Sequence, residues 1–594
     1  MVEYLIKING KKYPFLSVSL LKKVKSPEEF EVELPTVEDV NIGSQVEVYR
    51  EKHKVFSGLV ERKTLTLKED GLNLKIWGRD LSQKLFHKLT NKNSWSKTKI
   101  KTILQEILAD TGLTVGEIQD PLPVWHRWFQ TSDTDFSNDS LTDVVVSGTG
   151  EDAKVILDST PKLDSQQTDT SYGNDVTTTR WRADNFTVQN SGWINKVELY
   201  LLSVSSSTIT VSIRSNLTGL DLCSASTTIT SANWYEFTFP SPIYVNKNEA
   251  YYLVVRVASG DIAYWYGGTA GTCWVSDDSG STWTEVTGNQ SYKIYIQHEK
   301  GKIVSTLIQP TNWIKWLLLK ATTVLNNQTI TFDILDSADN VLVSGITPNQ
   351  LPYDISGLTQ TAIKVRANLS TTDRLTSPEL HDWLISFYAD YVDFTVDNEA
   401  VFDAVKRLAE LVNAEFWVDQ DGKFYFKLER GSDLSSNLTL DSAQDYFTVE
   451  WTVDGVKLSN KIKVIGAGEP PNRIEVFEED IESQSVYGLR EIVKVDKDIE
   501  ESETARTYAI NLLNLHKNPV EYLTLNLLPN KTFDVGDKIT VKCNPLNLNK
   551  AFRVKKLQIT FNKNIEVWKV ELGEEPPSLI DEILKTRVIE RWLK

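Results

Sequence analysis

The sequence predicts a mainly β fold: two small β-barrels with a few helices, interrupted by two nested, jelly-roll-like β-sandwiches. Residues 1–90 are short runs of alternating apolar and polar residues separated by turn residues, the pattern of half-buried strands. From Asp120 to about Ser386 the chain is rich in Ser, Thr and Asn, holds eleven of its seventeen tryptophans and has almost no helical spacing. Strand patterns of the first kind return at residues 445–575.

Length and charge limit the classes of function. A chain of 594 residues has room for roughly three to five domains. Its 64 basic and 81 acidic side chains give a net charge of −17, which argues against a surface that holds nucleic acid. No stretch approaches the ~20 consecutive apolar residues of a transmembrane helix, and the first residues lack the pattern of a secretory signal. We therefore expect no transmembrane segment and synthesis in the cytoplasm.

The two ends of the chain are expected to form one structural unit, which the middle of the chain interrupts. Six strand-like runs assign residues 1–95 to a first barrel, because closure pairs edges that would otherwise invite aggregation. Helical spacing at 98–109 and 397–411, with a hairpin after the second helix, predicts that residues 96–124 and 391–445 form a connecting α/β part. A second barrel is expected at residues 446–576. The tail, residues 577–594, has the apolar stripe of an amphipathic helix.

The middle of the chain is expected to be a separate unit inserted between the two parts of the terminal one. Its lysine- and glutamate-poor composition begins near Asp120 and ends near Asp397. This segment is therefore an insertion into the unit formed by the two ends of the chain. Residues 163–298 have the pattern of a compact inner sandwich. Residues 125–162 and 299–390 each have too few strands for two sheets, so we expect them to combine into a discontinuous outer sandwich.

Several stretches, in a fixed order, resemble one family. In the first barrel they are GSQVEV at 43–48, VFSGLVE at 55–61 and WGRDL at 77–81. Later they are NKIKVIG at 460–466, YGLRE at 487–491, the helix at 502–515, DVGDKITV at 534–541 and FRV at 552–554. Over roughly 300 residues the chain resembles the tail hub proteins of tailed phages, the group related to late control protein D and baseplate hubs. The insertion near 120–395 departs from the compact members of that group.

This resemblance implies a homotrimer in which two similar barrels per subunit form a ring of six, joining a sixfold tail tube to a threefold tip. It implies a place at the tail tip or baseplate of the virion, after assembly in the host cytoplasm. The implied partners are tail-tube or distal tail proteins and the tape-measure protein. No specific nucleic-acid binding is implied, although an acidic lumen would let DNA pass, in agreement with the sign of the net charge.

One motif of the inner sandwich fits the pattern S-x-D-x-G-x-T-W, known as an Asp box. We interpret it as structural, because a carboxylate can accept backbone N–H bonds in a turn, a glycine permits the bend and a tryptophan can pack beneath the hairpin. The motif does not by itself indicate a sialidase. Its residues are Ser276, Asp278, Gly280, Thr282 and Trp283.

Aromatic residues cluster beside the Asp box and are the candidates for carbohydrate binding. Flat aromatic faces stack on the C–H surfaces of sugars, and the pattern of this sandwich resembles carbohydrate-binding modules. The alternative is that some of these rings are core, because successive residues of a strand point to opposite faces. The candidates are Tyr264, Trp265, Tyr266 and Trp274.

The sequence predicts no catalytic residue, no metal site and no cofactor. The six histidines are isolated, and zinc motifs, the nucleophile elbow and phosphate loops are missing. Cys223 and Cys273 leave open both a disulfide and two buried thiols. We expect a structural virion protein rather than an enzyme, with inserted sandwiches that contact glycans of the host surface. The alternative is a tail-associated polysaccharide-degrading enzyme, since sequence alone cannot pair two carboxylates as acid and base.

Overall fold

A computed structural model describes residues 3–35, 40–68, 71–468, 473–497, 502–562 and 565–573. The chain forms two compact units, residues 1–122 with 391–594 and residues 123–390. Strands dominate both units, so the mainly β fold class predicted from the sequence is confirmed. The helix predicted at 577–594 lies outside the described residues. Among the described residues, no helix is long and apolar enough to span a membrane.

The N-terminal segment consists of short strands with strictly alternating burial, as in Glu29–Leu34, where every second side chain is buried. Two short helices follow, the second with its apolar residues on one stripe. The elements are β1 (Tyr4–Ile8), β2 (Lys11–Tyr13), β3 (Ser17–Lys23), β4 (Glu29–Leu34), β5 (Gln45–Arg50), β6 (His53–Lys68), β7 (Gly71–Asp80), α1 (Gln83–His87), β8 (Asn93–Thr98), α2 (Ile100–Leu108) and β9 (Thr114–Ile118).

The unit at residues 123–390 is almost entirely β. Its described elements are β10 (Val124–Gln130), α3 (Asp133–Phe136), β11 (Ser140–Thr142), β12 (Val144–Ser147), β13 (Lys154–Leu157), β14 (Lys162–Gln167), β15 (Tyr172–Val176), β16 (Trp181–Thr187), β17 (Gly192–Ser203), β18 (Ser207–Arg214), β19 (Cys223–Ile229), β20 (Asn233–Val245), β21 (Ala250–Ser259), β22 (Ala263–Gly267), β23 (Thr272–Ser276), β24 (Thr284–Thr287), β25 (Tyr292–His298), β26 (Lys300–Val304), β27 (Trp313–Val324), β28 (Thr329–Leu335), β29 (Val341–Ile346), β30 (Tyr353–Asp354), β31 (Lys364–Ser370) and β32 (Glu379–Ala389).

The C-terminal segment returns to the first unit with strands and three helices. Its described elements are β33 (Val392–Val396), α4 (Val401–Val412), β34 (Glu415–Val418), β35 (Lys423–Lys427), β36 (Thr439–Asp441), β37 (Tyr446–Asp454), β38 (Lys461–Ile465), β39 (Glu475–Glu479), α5 (Ile481–Tyr487), β40 (Glu491–Val495), α6 (Ser502–His516), β41 (Val520–Leu527), β42 (Lys538–Cys543), β43 (Leu548–Asn562) and β44 (Ile565–Gly573).

Two sets of strands in the first unit have the same spatial order. The first module, as we call strands β1 and β3–β7, runs β1-β5-β6-β7-β4-β3. The second module, strands β36, β37 and β41–β44, runs β36-β42-β43-β44-β41-β37. The pairing register shifts between Val60 and Arg62 in β6 and between Val554 and Lys556 in β43, so both modules bulge at the equivalent place. Strand β6 is therefore the counterpart of β43, and β3 is the counterpart of β37.

The two modules share one continuous sheet and one apolar core. Strand β3 pairs antiparallel with β43, from Ser17 opposite Asn562 to Lys23 opposite Lys556. The strand pattern predicts that each barrel pairs its own edges, whereas β3 of the first module pairs with β43 of the second. No described pairing joins β1 to β3, because the outer edge of β3 is occupied by the second module.

The inserted unit contains two pairs of sheets. Strands from both flanks of the inner sandwich meet in the outer pair, where β11 pairs with β26 and β13 with β32. The inner pair is a sheet with the order β14-β25-β17-β22-β15, to which β20 adds at β17, facing a sheet with the order β19-β18-β21-β16-β23-β24. Cys223 and Cys273 lie on β19 and β23, with three strands between them, and both are buried free thiols.

Candidate functional site

One outer face of the inner sandwich carries a row of three aromatic side chains that contact each other. Tyr200 of β17 packs edge-on against Trp234 of β20, with ring centroids 5.7 Å apart. The same tyrosine packs edge-on against Tyr266 of β22, at 5.5 Å. We call Tyr200, Trp234 and Tyr266 the aromatic row. All three rings are partly buried, so each keeps some surface that can contact a ligand.

Strand alternation explains why these rings share a face. Leu199 and Leu201 are fully buried in the core, so Tyr200 between them points outwards. Trp234 lies directly opposite Tyr200 in the pairing of β17 with β20. The Tyr266 ring lies across β15 at Gly173, where an added Cβ would come within 3.1 Å of the ring. A glycine at this position therefore leaves room for the tyrosine.

Charged groups flank the aromatic row and are themselves paired. The Lys293 ammonium lies over the Trp234 ring, 4.2 Å from its centroid, and binds the Glu198 carboxylate at 2.9 Å. Lys196 binds Glu236 at 2.6 Å on the same face. A cation over an indole ring is attracted by the ring quadrupole, which holds the ring in place. Aromatic faces bordered by paired donors and acceptors are suited to an uncharged polar ligand such as a sugar.

The structure divides the four aromatic residues proposed from the sequence among different places. Tyr264 and Tyr266 alternate with Trp265 along β22, and Trp265 is the one that points inwards. The Trp265 ring is fully buried and its Nε1–H donates to the Ser291 carbonyl at 2.8 Å. A sugar contact by Trp265 is therefore incompatible with its place in the core. Tyr264 is partly exposed on the same outer face as the aromatic row.

Trp274 belongs to the opposite sheet. It lies on β23 and packs edge-on against Tyr252 of β21, with ring centroids 5.3 Å apart. The pairings of β23 place it beside β16 and β24 rather than beside β22. The aromatic residues that lie close together in the sequence therefore belong to two different sheets. The sequence reasoning did not select Tyr200 or Trp234, although both alternate with apolar residues and could have been chosen on that pattern.

The Asp box forms a turn closed by its carboxylate. Asp278 Oδ1 accepts the N–H groups of Ser281 at 3.0 Å and Thr282 at 2.8 Å, and the Ser276 hydroxyl at 2.7 Å. Asp278 Oδ2 accepts the Thr282 hydroxyl at 2.7 Å. These bonds, led by that of the Thr282 hydroxyl, lower the pKa of Asp278 to about 2. Gly280 takes a positive φ of +87°, as the bend requires.

A tryptophan from another strand supports this turn. A Cβ at Gly280 would come within 2.6 Å of the Trp181 ring, so the indole of β16 packs closely on the glycine. Trp283, the tryptophan of the motif, follows the turn in the sequence and is partly buried. The hydrogen bonds of Asp278 are used within the turn, which gives the motif a structural explanation.

The first unit contains a separate cluster of buried charges around a cavity of about 210 Å³. Arg430 binds Glu28 at 2.7 Å, and Lys22 binds Asp534 at 3.0 Å. Burial and the negative charge of Glu28 raise the pKa of Asp80 to about 7. These groups come from both modules and from the segment between them, and they pair with each other. We therefore interpret the cluster as part of the junction between the modules.

Within the described ranges, no group of three His, Cys, Asp or Glu side chains is placed to hold a metal ion. The pKa of the Cys223 thiol is raised by its burial, to about 12, which leaves the thiol protonated and unreactive at neutral pH.

Comparisons with known proteins place tail proteins beside this chain. Residues 398–573 match a family model described as YQBQ-like. No curated protein matches the sequence. The solved structure of the 43 kDa tail protein of prophage MuSo2 from Shewanella oneidensis is 8% identical, with 96% of this chain and 98% of that chain covered and a TM-score of 0.41.

Two further solved structures have similar values. A tail protein from Neisseria meningitidis MC58 is 8% identical, with 97% of each chain covered and a TM-score of 0.40. Prophage tail protein gp18 from Listeria monocytogenes EGD-e is 7% identical, with 99% of each chain covered and a TM-score of 0.38. These three structures are all of tail proteins.

Proposed function

We propose that the protein is a structural component of the tail of a phage or a phage-like particle. In this proposal three copies form a hub at the tail tip or baseplate and place six β modules around a channel. A ring of six modules from three subunits matches a sixfold tail tube on one side and a threefold tip on the other. Tail-tube or distal tail proteins and the tape-measure protein are the partners such a hub requires.

The observation that carries this proposal is the repeat inside the first unit. Two modules with one strand order and one bulge position are joined edge to edge in a single sheet. A chain that contains two equivalent building blocks can present a sixfold surface from three copies. The net charge of −17 agrees with a channel through which DNA passes without binding.

Electron microscopy and light scattering test the hub. The purified full-length chain, alone and with a tail-tube protein from the same source, is expected to give particles with threefold symmetry that contain three copies of the chain. A chain that stays monomeric at every concentration and joins no tail component contradicts the proposal.

A second function is favoured by the aromatic row. We propose that the outer face formed by Tyr200, Trp234 and Tyr266 binds uncharged glycans of the host surface. Three rings in edge-on contact offer an apolar surface longer than one side chain, and the flanking Lys293–Glu198 pair supplies hydrogen-bond donors and acceptors. Contact with host glycans is the role that a sugar-binding face at the tail tip would serve.

Binding to purified envelope glycans tests this face. Tyr200→Ala is expected to weaken binding at least about tenfold, because it removes the central ring that touches both others. Trp274→Ala is the matched control, since it deletes an aromatic ring on the opposite sheet and is expected to leave the affinity unchanged. A loss of binding in the control but not in Tyr200→Ala contradicts the assignment of the face.

The same incubation tests the alternative of a polysaccharide-degrading enzyme. A binding protein leaves the number of reducing ends constant over time. Release of reducing ends by the full-length chain would instead show hydrolysis, which needs two carboxylates placed as acid and base.

A further inference from the structure

We infer that strand β37 of one copy adds to strand β6 of a second copy, along the edge beyond Val60 with which no described strand pairs, in the register in which β3 pairs with β43 inside each chain. This inference deepens the proposed hub function, since it names the strands through which copies join. It is argued from the internal repeat.

The strand pairings fix which residues are equivalent. The shared bulge makes Val554 the counterpart of Val60 and Lys556 the counterpart of Arg62. Strands β4 and β41 then match through their pairings with β7 and β44, and β3 matches β37 through β4 and β41. Ser17 of β3 is in this way equivalent to Thr448 of β37.

Equivalent residues of the two modules differ sharply in exposure. Ile559 and Phe561 of β43 are 7% and 6% exposed, where Leu20 and Val18 of β3 lie opposite them and the Phe561 ring also packs on Tyr4 and Phe15. Their counterparts in β6 are Leu65 and Leu67, which are 53% and 81% exposed. Exposed leucines in a regular strand are a surface that a further strand would bury. Among the described residues, no strand gives β6 of the first module the cover that β43 receives from β3.

The strand that could supply this cover is free. Strand β37 pairs with β41 on one side, and no described strand pairs with its other edge. The counterparts of Val18 and Leu20 in β37 are Val449 and Trp451, both partly buried against the core. In the inferred register Trp451 lies opposite Leu65 and Val449 opposite Leu67, so apolar residues meet apolar residues across the seam.

The charges of the two edges are complementary. Residues 62–68 of β6 carry Arg62, Lys63 and Lys68 and no acidic side chain, whereas residues 448–454 of β37 carry Glu450 and Asp454 and no basic one. The inferred register places Arg62 directly opposite Asp454, and opposite charges in facing positions stabilise a pair of strands. Pairing of β37 with a second β37 would bring like charges together, so the charges favour the head-to-tail seam.

Engineered disulfides in the full-length chain test the register. Thr452→Cys with Thr64→Cys, and Val453→Cys with Lys63→Cys, each place two thiols in directly opposite positions. Neighbouring antiparallel pairs alternate in Cα separation, so one of the two is expected to suit a disulfide. Thr452→Cys with Thr66→Cys is the matched control, because its residues are diagonal and too far apart. The native cysteines are buried.

Mild oxidation is expected to give covalent species of two and three chains on non-reducing gels, with at least about tenfold more product from a matched pair than from the control. A ladder that continues beyond three chains supports the seam and contradicts the threefold hub. Oligomers in light scattering without cross-links in either matched pair overturn the seam and leave the hub standing. A monomer without cross-links at every concentration overturns both.

Discussion

The two β modules use one strand order but protect their bulged strands differently. In the second module the far half of β43 is covered by β3, and its apolar residues are buried. In the first module the far half of β6 extends with β7 as a hairpin in which Leu65 and Leu67 are exposed. Within one chain, the far half of the bulged strand therefore has a neighbouring strand in the second module, whereas no described strand takes that place in the first.

This difference shows that strand order and edge protection are separate properties. A sheet edge displays unpaired N–H and C=O groups, and some neighbour must cover it or charges must guard it. Within the chain the neighbour is β3. At β6 the positive charges of residues 62–68 disfavour pairing with an unrelated strand and favour pairing with a strand that carries acidic side chains.

The largest effect is expected at the ion pair that secures the second module. Arg553 of β43 binds Glu415 with two hydrogen bonds of 2.9 and 2.7 Å, and Glu415 is buried. Its counterpart in the first module is Leu59, which is uncharged. Arg553→Ala is expected to lower the free energy of unfolding by about 3–5 kcal/mol, because it leaves a buried carboxylate unpaired. Urea unfolding measures this change.

The control for this prediction is Lys550→Ala in the same strand. Lys550 binds Glu521 at 2.9 Å, but more than half of the lysine side chain is exposed. Loss of such a surface pair is expected to cost less than about 1 kcal/mol. Equal losses for the two variants would contradict the view that the Glu415 pair anchors β43.

The next effect compares equivalent residues. Ile559→Ala is expected to lower the free energy of unfolding by about 2–5 kcal/mol, because it opens a cavity beneath β3. Leu65→Ala, at the equivalent place in β6, is expected to cost less than about 1 kcal/mol in dilute monomer, since the side chain is already half exposed. Thermal or urea unfolding at low protein concentration measures both. Similar losses would mean that β6 is covered within the chain.

Sequence reasoning predicted the local elements better than their assembly. The apolar spacing that predicts helices at 98–109 and 397–411 corresponds to α2 and α4. Helices α1 and α5 have five and seven residues, too few to show a period. The pairing of β3 with β43 joins residues 17–23 to 556–562, and no local pattern carries information about so distant a partner. The local pattern therefore predicts that the first barrel closes on itself, whereas in the structure the outer edge of β3 pairs with the second module.

The candidate site shows the same limit. Alternation along β22 predicts that Trp265 and the two flanking tyrosines face opposite ways, but only the packed structure decides which face is core. The aromatic row also needs Tyr200 and Trp234, which join Tyr266 through the order of β20, β17 and β22. The Asp box was predictable in detail because its hydrogen bonds join residues within seven positions.

A pH effect is expected from the buried Asp80 carboxyl group of the first module, in addition to those of Asp139 and Asp184 in the inserted unit, whose pKa values burial also raises. Burial beside Glu28 raises the pKa of Asp80 to about 7, whereas the counterpart of Glu28 is Glu521, which pairs with Lys550. A raised carboxyl pKa means that the folded state holds the proton more tightly, so stability is lost as pH rises through about 7. The protein is therefore expected to be less stable at pH 8 than at pH 5.

Urea unfolding at several pH values measures this loss. Asp80→Asn is expected to make the profile less steep, because the amide does not titrate, while Asp184, whose pKa burial raises to about 7, still contributes to the slope. An unchanged profile in Asp80→Asn, or a native stability that rises from pH 5 to 8, would contradict the assignment to Asp80.

The smallest effect on the single chain should be the most informative about assembly. Leu67 is 81% exposed at the far half of β6, so Leu67→Asp is expected to leave the unfolding midpoint of the monomer unchanged. In the inferred seam this residue is buried opposite Val449, and a carboxylate there loses its hydration. The association constant measured by sedimentation is therefore expected to fall at least about tenfold. Leu220→Asp, at a leucine 89% exposed in the inserted unit, is the control that should assemble normally. If both variants assemble like the native chain, the exposed leucines of β6 are not an interface, and the difference between the modules needs another explanation.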